Sequence, residues 1–143
     1  MFYGEFEHSI DDKGRMTIPS KFRARLDSGV VITKGIDPCL WLFPADQWAV
    51  LSEKASALSI TDPTAREFKR QLFGSASDSI PDKQGRINLP SYLREYAQID
   101  KQAVIVGMHD HCEIWNLEQW RERQKRSDND PEGRAAKFAS LRI

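Results

Sequence analysis

One thirteen-residue phrase occurs twice in this chain. Asp11-Asp12-Lys13-Gly14-Arg15-Met16-Thr17-Ile18-Pro19-Ser20-Lys21-Phe22-Arg23 returns as Asp82-Lys83-Gln84-Gly85-Arg86-Ile87-Asn88-Leu89-Pro90-Ser91-Tyr92-Leu93-Arg94, with the glycine 71 positions later. A second phrase, Leu42-Phe43-Pro44-Ala45-Asp46-Gln47-Trp48, matches Ile114-Trp115-Asn116-Leu117-Glu118-Gln119-Trp120 at an offset of 72. Two phrases at nearly one offset make coincidence a poor explanation. The chain is therefore two copies of a unit of roughly 45 residues, joined by a spacer. A unit so small cannot close a core alone, so the copies are expected to pair about a pseudo-twofold axis.

The pattern divides the chain into repeat 1 at 4–48, a helical spacer at 49–75, repeat 2 at 76–120, and a C-terminal helix and tail at 121–143. Within each repeat, Asp-x-x-Gly reads as a turn, since Asp favours its first position and Gly tolerates the positive φ at its end. After the turn, polar and apolar residues alternate. Met16 and Ile18 face a core while Arg15 and Thr17 face outward, and Ile87 and Leu89 repeat this against Arg86 and Asn88. Pro19 and Pro90 end these strands and suit the first turn of short helices at 20–26 and 91–97. Val30-Val31-Ile32-Thr33 and Ala103-Val104-Ile105-Val106 read as buried strands, with Leu40–Phe43 and Glu113–Trp115 as their partners. The spacer reads as two helices, 44–58 and one restarted at Asp62-Pro63 that stops at Gly74. A helix from Glu118 to Arg126 opens the last segment, followed by a polar turn at 127–131 and a short amphipathic helix from Arg134.

Charge alone argues mildly against nucleic acid, because 21 basic residues balance 21 acidic ones. The distribution argues otherwise. Between Asp11 and Arg25 five basic side chains stand against two acidic ones, so the repeat itself can create a positive patch on a neutral molecule. Cys39 and Cys112 lie just before the second phrase in each copy, and with no secretion signal at the N-terminus they fit small buried thiols better than a disulfide. No apolar run reaches the ~20 residues of a membrane span, which places the protein in the cytoplasm.

These phrases together resemble the MraZ family of bacterial transcriptional regulators. The resemblance rests on 11–25, Asp37-Pro38-Cys39-Leu40-Trp41-Leu42-Phe43-Pro44, Gly74-Ser75-Ala76, 82–90, Val106-Gly107 and Glu113-Ile114-Trp115, and runs from Met1 to about Trp120. It implies an α+β, β-rich fold: a pseudo-twofold swapped-hairpin β-barrel of the SpoVT/AbrB type, with both halves supplied by one chain and helices at its flanks. It implies sequence-specific binding to double-stranded promoter repeats, repression of the protein's own operon and the adjacent cell-division and cell-wall genes, a nucleoid location, and a ring-shaped homo-oligomer. The arginines of Asp-x-x-Gly-Arg, here Arg15 and Arg86, are where the family contacts DNA.

The residues support two readings of those arginines. Each follows a glycine that lets a backbone approach closely, and each points away from the core, so each can bridge phosphates or grip guanine. Each can also brace its own hairpin through Asp11 or Asp82, and the two roles are compatible. Lys13, Lys21, Arg23 and Lys83 read as phosphate contacts or as solvated charges, while Asp11, Gly14, Asp82 and Gly85 form the structural frame of the motif. Arg25 and Arg94, on the short helices, are open between the same readings. His109-Asp110-His111-Cys112 suggests a metal cluster only superficially, because alternate strand residues diverge, and a solvated turn is the better reading. Asp11 and Asp12 diverge on a turn, so paired-acid catalysis is not indicated. Trp41, Trp48, Trp115 and Trp120 read as core. The chain thus reads as a DNA-binding regulator, not an enzyme, with no cofactor, metal or small-molecule substrate. The alternative is a protein-binding or scaffold module of the AbrB/antitoxin type, which need show no affinity for promoter DNA.

Overall fold

The computed structural model describes residues 1–143. The first copy contributes β1 (Glu5–Ser9), β2 (Arg15–Thr17), α1 (Ser20–Leu26), β3 (Val30–Lys34) and β4 (Leu40–Pro44), followed by α2 (Ala45–Ser56) and α3 (Pro63–Gly74). The second contributes β5 (Ser77–Ser79), β6 (Arg86–Asn88), α4 (Ser91–Ala97), β7 (Gln102–Gly107) and β8 (Cys112–Asn116), then α5 (Leu117–Asp128) and α6 (Pro131–Ala139).

Six strands form one antiparallel sheet in the order β1-β7-β8-β4-β3-β5, and β2 and β6 form a separate two-stranded ladder. Exchanging every strand for its counterpart in the other copy returns the same order reversed. The pseudo-twofold axis therefore passes between β8 and β4, and again between β2 and β6. The copies do not lie side by side. β1 of the first copy pairs with β7 of the second, from Glu5 opposite Val106 to Ser9 opposite Gln102. β5 of the second copy pairs with β3 of the first, with Val30 opposite Ser79. The fold is α+β with a largely antiparallel sheet. The closed barrel implied by the family resemblance is not what the hydrogen bonding draws: β1 and β5 are open edges of the sheet, and β2–β6 stands apart from it.

A core of 19 buried residues is shared by both copies, with Met16, Ile18 and Phe22 meeting Ile87, Leu89 and Leu93. Met16 is fully buried, as is Leu89, so truncating either to Ala is expected to cost about 2–5 kcal/mol. Phe22 packs edge-on against Phe2 at 5.0 Å and Phe6 at 5.2 Å, which fastens α1 to the start of the chain.

The spacer is anchored by polar as well as apolar contacts. Asp62 caps α3 by accepting from Thr64 N at 2.9 Å, with Pro63 in the first turn. The end of that helix meets β3 through buried Thr33, whose Oγ1 donates to Leu72 O at 2.7 Å. At the other end of the chain α5 runs two residues beyond Arg126, and α6 begins at Pro131 rather than Arg134 because Asp130 caps it, accepting from Gly133 N at 3.1 Å. No helix is long and apolar enough to cross a membrane.

Candidate nucleic-acid interface

The two Asp-x-x-Gly-Arg turns are built alike, bond for bond. Asp11 Oδ1 accepts from the amides of Lys13 and Arg15, both at 2.9 Å, and Gly14 N donates to Asp11 O at 2.9 Å. In the second copy Asp82 Oδ1 accepts from Gln84 N and Arg86 N at the same 2.9 Å, and Gly85 N donates to Asp82 O at 2.9 Å. The turn needs an acceptor that reaches two amides, which a short carboxylate supplies. It also needs a left-handed residue before the arginine, and Gly14 and Gly85 sit at φ of 77° and 75°.

Each arginine closes its turn with one nitrogen only. Arg15 Nε donates to Asp11 Oδ2 at 2.8 Å, and Arg86 Nε to Asp82 Oδ2 at 2.7 Å. The hairpin-brace reading of these residues is thus realised. It leaves the terminal amino groups of both guanidinium groups without a partner in the chain, so a second role remains available to them. The backbone bond from its own arginine, opposed in part by desolvation and aided by the Nε contact, holds Asp11 below the usual carboxylate range; the same forces act on Asp82.

The ladder then brings the two turns together. Arg15 lies opposite Asn88, Thr17 opposite Arg86, and Met16 opposite Ile87. The two arginines are diagonal neighbours on the outward face, at positions typically about 7–8 Å apart, with Thr17 and Asn88 filling the other corners. Behind them Met16 and Ile87 are buried. Two like charges held this close on a rigid ladder favour an anion laid across them. Lys13 and Lys83 are exposed at the turn tips beside this face. The tips are not equivalent, because Lys13 occupies the place of Gln84, and Asp12 that of Lys83.

The remaining basic residues lie elsewhere or are occupied. Lys21 is exposed on α1, with its Nζ 6.0 Å from the Phe6 ring centroid. Arg23 is half-buried and its Nε donates to Ile18 O at 3.4 Å. Its counterpart Arg94 donates to Leu89 O at 2.9 Å. Arg25 is bound by Asp46 in a two-toothed pair, 2.8 Å at each tooth, which ties α1 to α2. Sequence reasoning did not put Thr17 or Asn88 among the site residues, and it left Arg94 open between a phosphate contact and a solvated charge. The signal for Arg94 was present: an arginine stands nine positions after the motif glycine in both copies.

Other candidate chemistry resolves into packing. His109 and His111 lie in the turn between β7 and β8, where His111 stacks on Phe43 at 5.0 Å and accepts or donates at 2.7 Å to Asp110. No group of three potential metal ligands is assembled. Cys39 and Cys112 are both buried free thiols; burial pushes Cys112 up to about 12 and Cys39 higher still, so neither is a ready nucleophile. Of the four tryptophans read as core only Trp115 is buried, leaning on Trp120 at 5.7 Å; Trp41, Trp48 and Trp120 are half-buried at the margins of the core, with Trp48 contacting Phe43 at 5.8 Å.

A protein of Thermomicrobium roseum named transcriptional regulator MraZ is 51% identical over 120 residues, covering 84% of each chain. One of the same name from Desulfitobacterium hafniense strain Y51 is 45% identical over 143 residues, the whole of both chains. Another from Herpetosiphon aurantiacus is 51% identical over 121 residues, 85% of each. The sequence profile of the family described as "MraZ protein, putative antitoxin-like" matches twice, at residues 1–71 and 72–140, in step with the internal repeat. With both repeats matched and full-length relatives this similar, the chain belongs to the MraZ family.

Proposed function

We propose that this chain is a transcriptional regulator that binds double-stranded promoter DNA through the outward face of the β2–β6 ladder. Arg15 and Arg86 make the central contacts with their free amino groups, Thr17 and Asn88 lie between them, and Lys13 and Lys83 steady the flanking phosphates. The observation that carries this reading is the ladder register, which sets both motif arginines on one face with their outer nitrogens unspent. The names of the relatives support the regulatory half of the statement. In this reading the two halves form a swapped-hairpin unit of the SpoVT/AbrB type. The protein acts as a repressor of its own operon and the adjacent cell-division and cell-wall genes, and it works as a nucleoid-associated ring of identical subunits.

A neutral protomer with one small basic face binds a single DNA repeat weakly. Several protomers on spaced repeats gain affinity through effective concentration. Fluorescence anisotropy with the protein's own upstream region and a scrambled duplex, over a salt series, tests the proposal. The expected result is preferential binding whose affinity falls steeply with salt, together with a disproportionate loss when one DNA repeat is scrambled. Absence of affinity for the upstream DNA even at low salt would overturn it in favour of a protein-binding module.

A further inference from the structure

Each motif turn is in contact with an arginine from the other copy. Arg94, on α4 of the second copy, lies over Gly14 of the first: a methyl group on Gly14 would meet Arg94 Cζ and Nη2 at 3.0 Å. Arg23, on α1 of the first copy, lies over Gly85 of the second, where a methyl group would meet its Nε at 2.5 Å and Cζ at 2.7 Å. One backbone–backbone bond and one side-chain bond to a backbone carbonyl close each circuit. Leu89 N donates to Gly14 O at 2.8 Å, and Leu89 O accepts from Arg94 Nε at 2.9 Å. Reciprocally, Ile18 N donates to Gly85 O at 2.8 Å, and Ile18 O accepts from Arg23 Nε at 3.4 Å. The carbonyl of the left-handed glycine, the strand of the opposite copy and the guanidinium of its helix make a three-point clamp, present twice.

We infer that Arg23 and Arg94 are positioning residues, each setting the turn of the opposite copy at the angle from which Arg15 or Arg86 reaches DNA. A planar guanidinium suits this place, because its Nε is fixed by a carbonyl while its flat face covers a residue with no side chain. Glycine is required there twice over, by its φ and by the plane resting on it. The consequence is crosswise. Arg94 governs the turn of Asp11–Arg15, and Arg23 governs that of Asp82–Arg86, so neither reading element is autonomous within its own repeat. The functional part of this inference rests on the DNA-binding reading above; the crosswise mechanical part does not.

The test is hydrogen–deuterium exchange by mass spectrometry on the full-length chain without DNA, following peptides that cover 11–16 and 82–88 separately. Arg94→Ala is expected to raise exchange in the first peptide about 3- to 10-fold, the scale of one lost net interaction, through loss of the guanidinium packed over Gly14, and to leave the second unchanged. Arg23→Ala is expected to do the reverse. Perturbation of the substituted copy's own turn, of both turns equally, or of neither would overturn the clamp. Should either alanine variant fail to fold, Arg94→Lys and Arg23→Lys keep the charge and stem but lose the Nε donor and the plane, and the same crosswise pattern is expected of them.

DNA binding separates positioning from contact. Affinity for upstream DNA should fall several-fold with the slope of log affinity against log salt unchanged. A slope flattened by about one unit means that the arginine touches a phosphate itself, which would overturn the positioning role. If the crosswise exchange pattern appears while the wild-type protein binds no promoter DNA, the functional reading fails and the clamp stands.

Discussion

Arg15 and Arg86, 71 positions apart in sequence, stand on the same face of one two-stranded ladder, with the Met16–Ile87 pair between them in register. In a single hairpin the two strands come from unrelated sequence, so such a match has to be specified twice. Here the motif occurs twice and its two copies meet antiparallel, so the outward arginine of one is matched by the arginine of the other.

Replacing Arg15 or Arg86 with Ala should separate binding from folding. Each substitution removes a fork of donors and an exposed brace but no core volume, so the melting temperature should fall only slightly, as for other solvent-screened ion pairs. Affinity for promoter DNA should drop by ~1–3 kcal/mol per contact, more in an assembly that repeats the lesion in every subunit. Thermal melting and anisotropy on the same samples check this. An Arg15→Ala protein that unfolds, yet binds normally per folded molecule, would make the arginine a brace alone.

The motif glycines should behave unequally under the same substitution. Gly14→Ala and Gly85→Ala each force a side chain into the left-handed region, at about 1–2 kcal/mol. Gly85→Ala should be the more damaging, because its new methyl group would meet Arg23 Nε at 2.5 Å, whereas the methyl at position 14 would meet Arg94 no closer than 3.0 Å. Urea midpoints of the two variants should rank in that order.

Acid should loosen both turns together. Asp11 and Asp82 have folded values below the ordinary 3.8, chiefly because they accept backbone bonds from Arg15 and Arg86. The folded state therefore binds fewer protons than the unfolded state, and stability rises with pH across that window. Their contribution is complete above 3.8 and is lost as pH falls through the lower folded values. The double variant Asp11→Asn, Asp82→Asn should be less stable at neutral pH and should lose less on acidification. Melting temperature against pH gives the two slopes, and parallel slopes would mean that the carboxylates carry no net pairing.

Residues 1–75 expressed alone should not form a folded monomer. β1 would lack β7, β3 would lack β5, and Met16 would face no Ile87. Sedimentation and circular dichroism should report an unfolded chain or a dimer in which two copies play both parts. A stable monomer of this length would sink the pseudo-twofold account.

The sequence made the local elements plain where chemistry is punctuated. Pro19 and Pro90 marked the starts of α1 and α4, Asp62-Pro63 and Gly74 bounded α3, and alternation around Met16 and Ile87 oriented the ladder. The same Asp-Pro signal at Asp130-Pro131 starts α6, three residues before the position the amphipathic pattern suggested. β5 was invisible because Ser77-Asp78-Ser79 has no apolar member; it is a strand only because β3 offers an open edge. Which strand pairs with which is a long-range choice that periodicity does not encode. Arg23 shows the limit for the site: a basic residue on a short helix looks like a surface charge until the opposite copy's glycine is seen beneath it.

The pairing of β1 with β7 also sets an order of events at the ribosome. β1 must wait for Gln102–Gly107 before its hydrogen bonds to β7 can form. The first repeat thus emerges with an unpaired edge and apolar faces that only later residues cover. Folding of the first repeat is therefore tied to synthesis of the second, and a chain released before Gln102–Gly107 exposes sticky strands instead of a half-strength regulator.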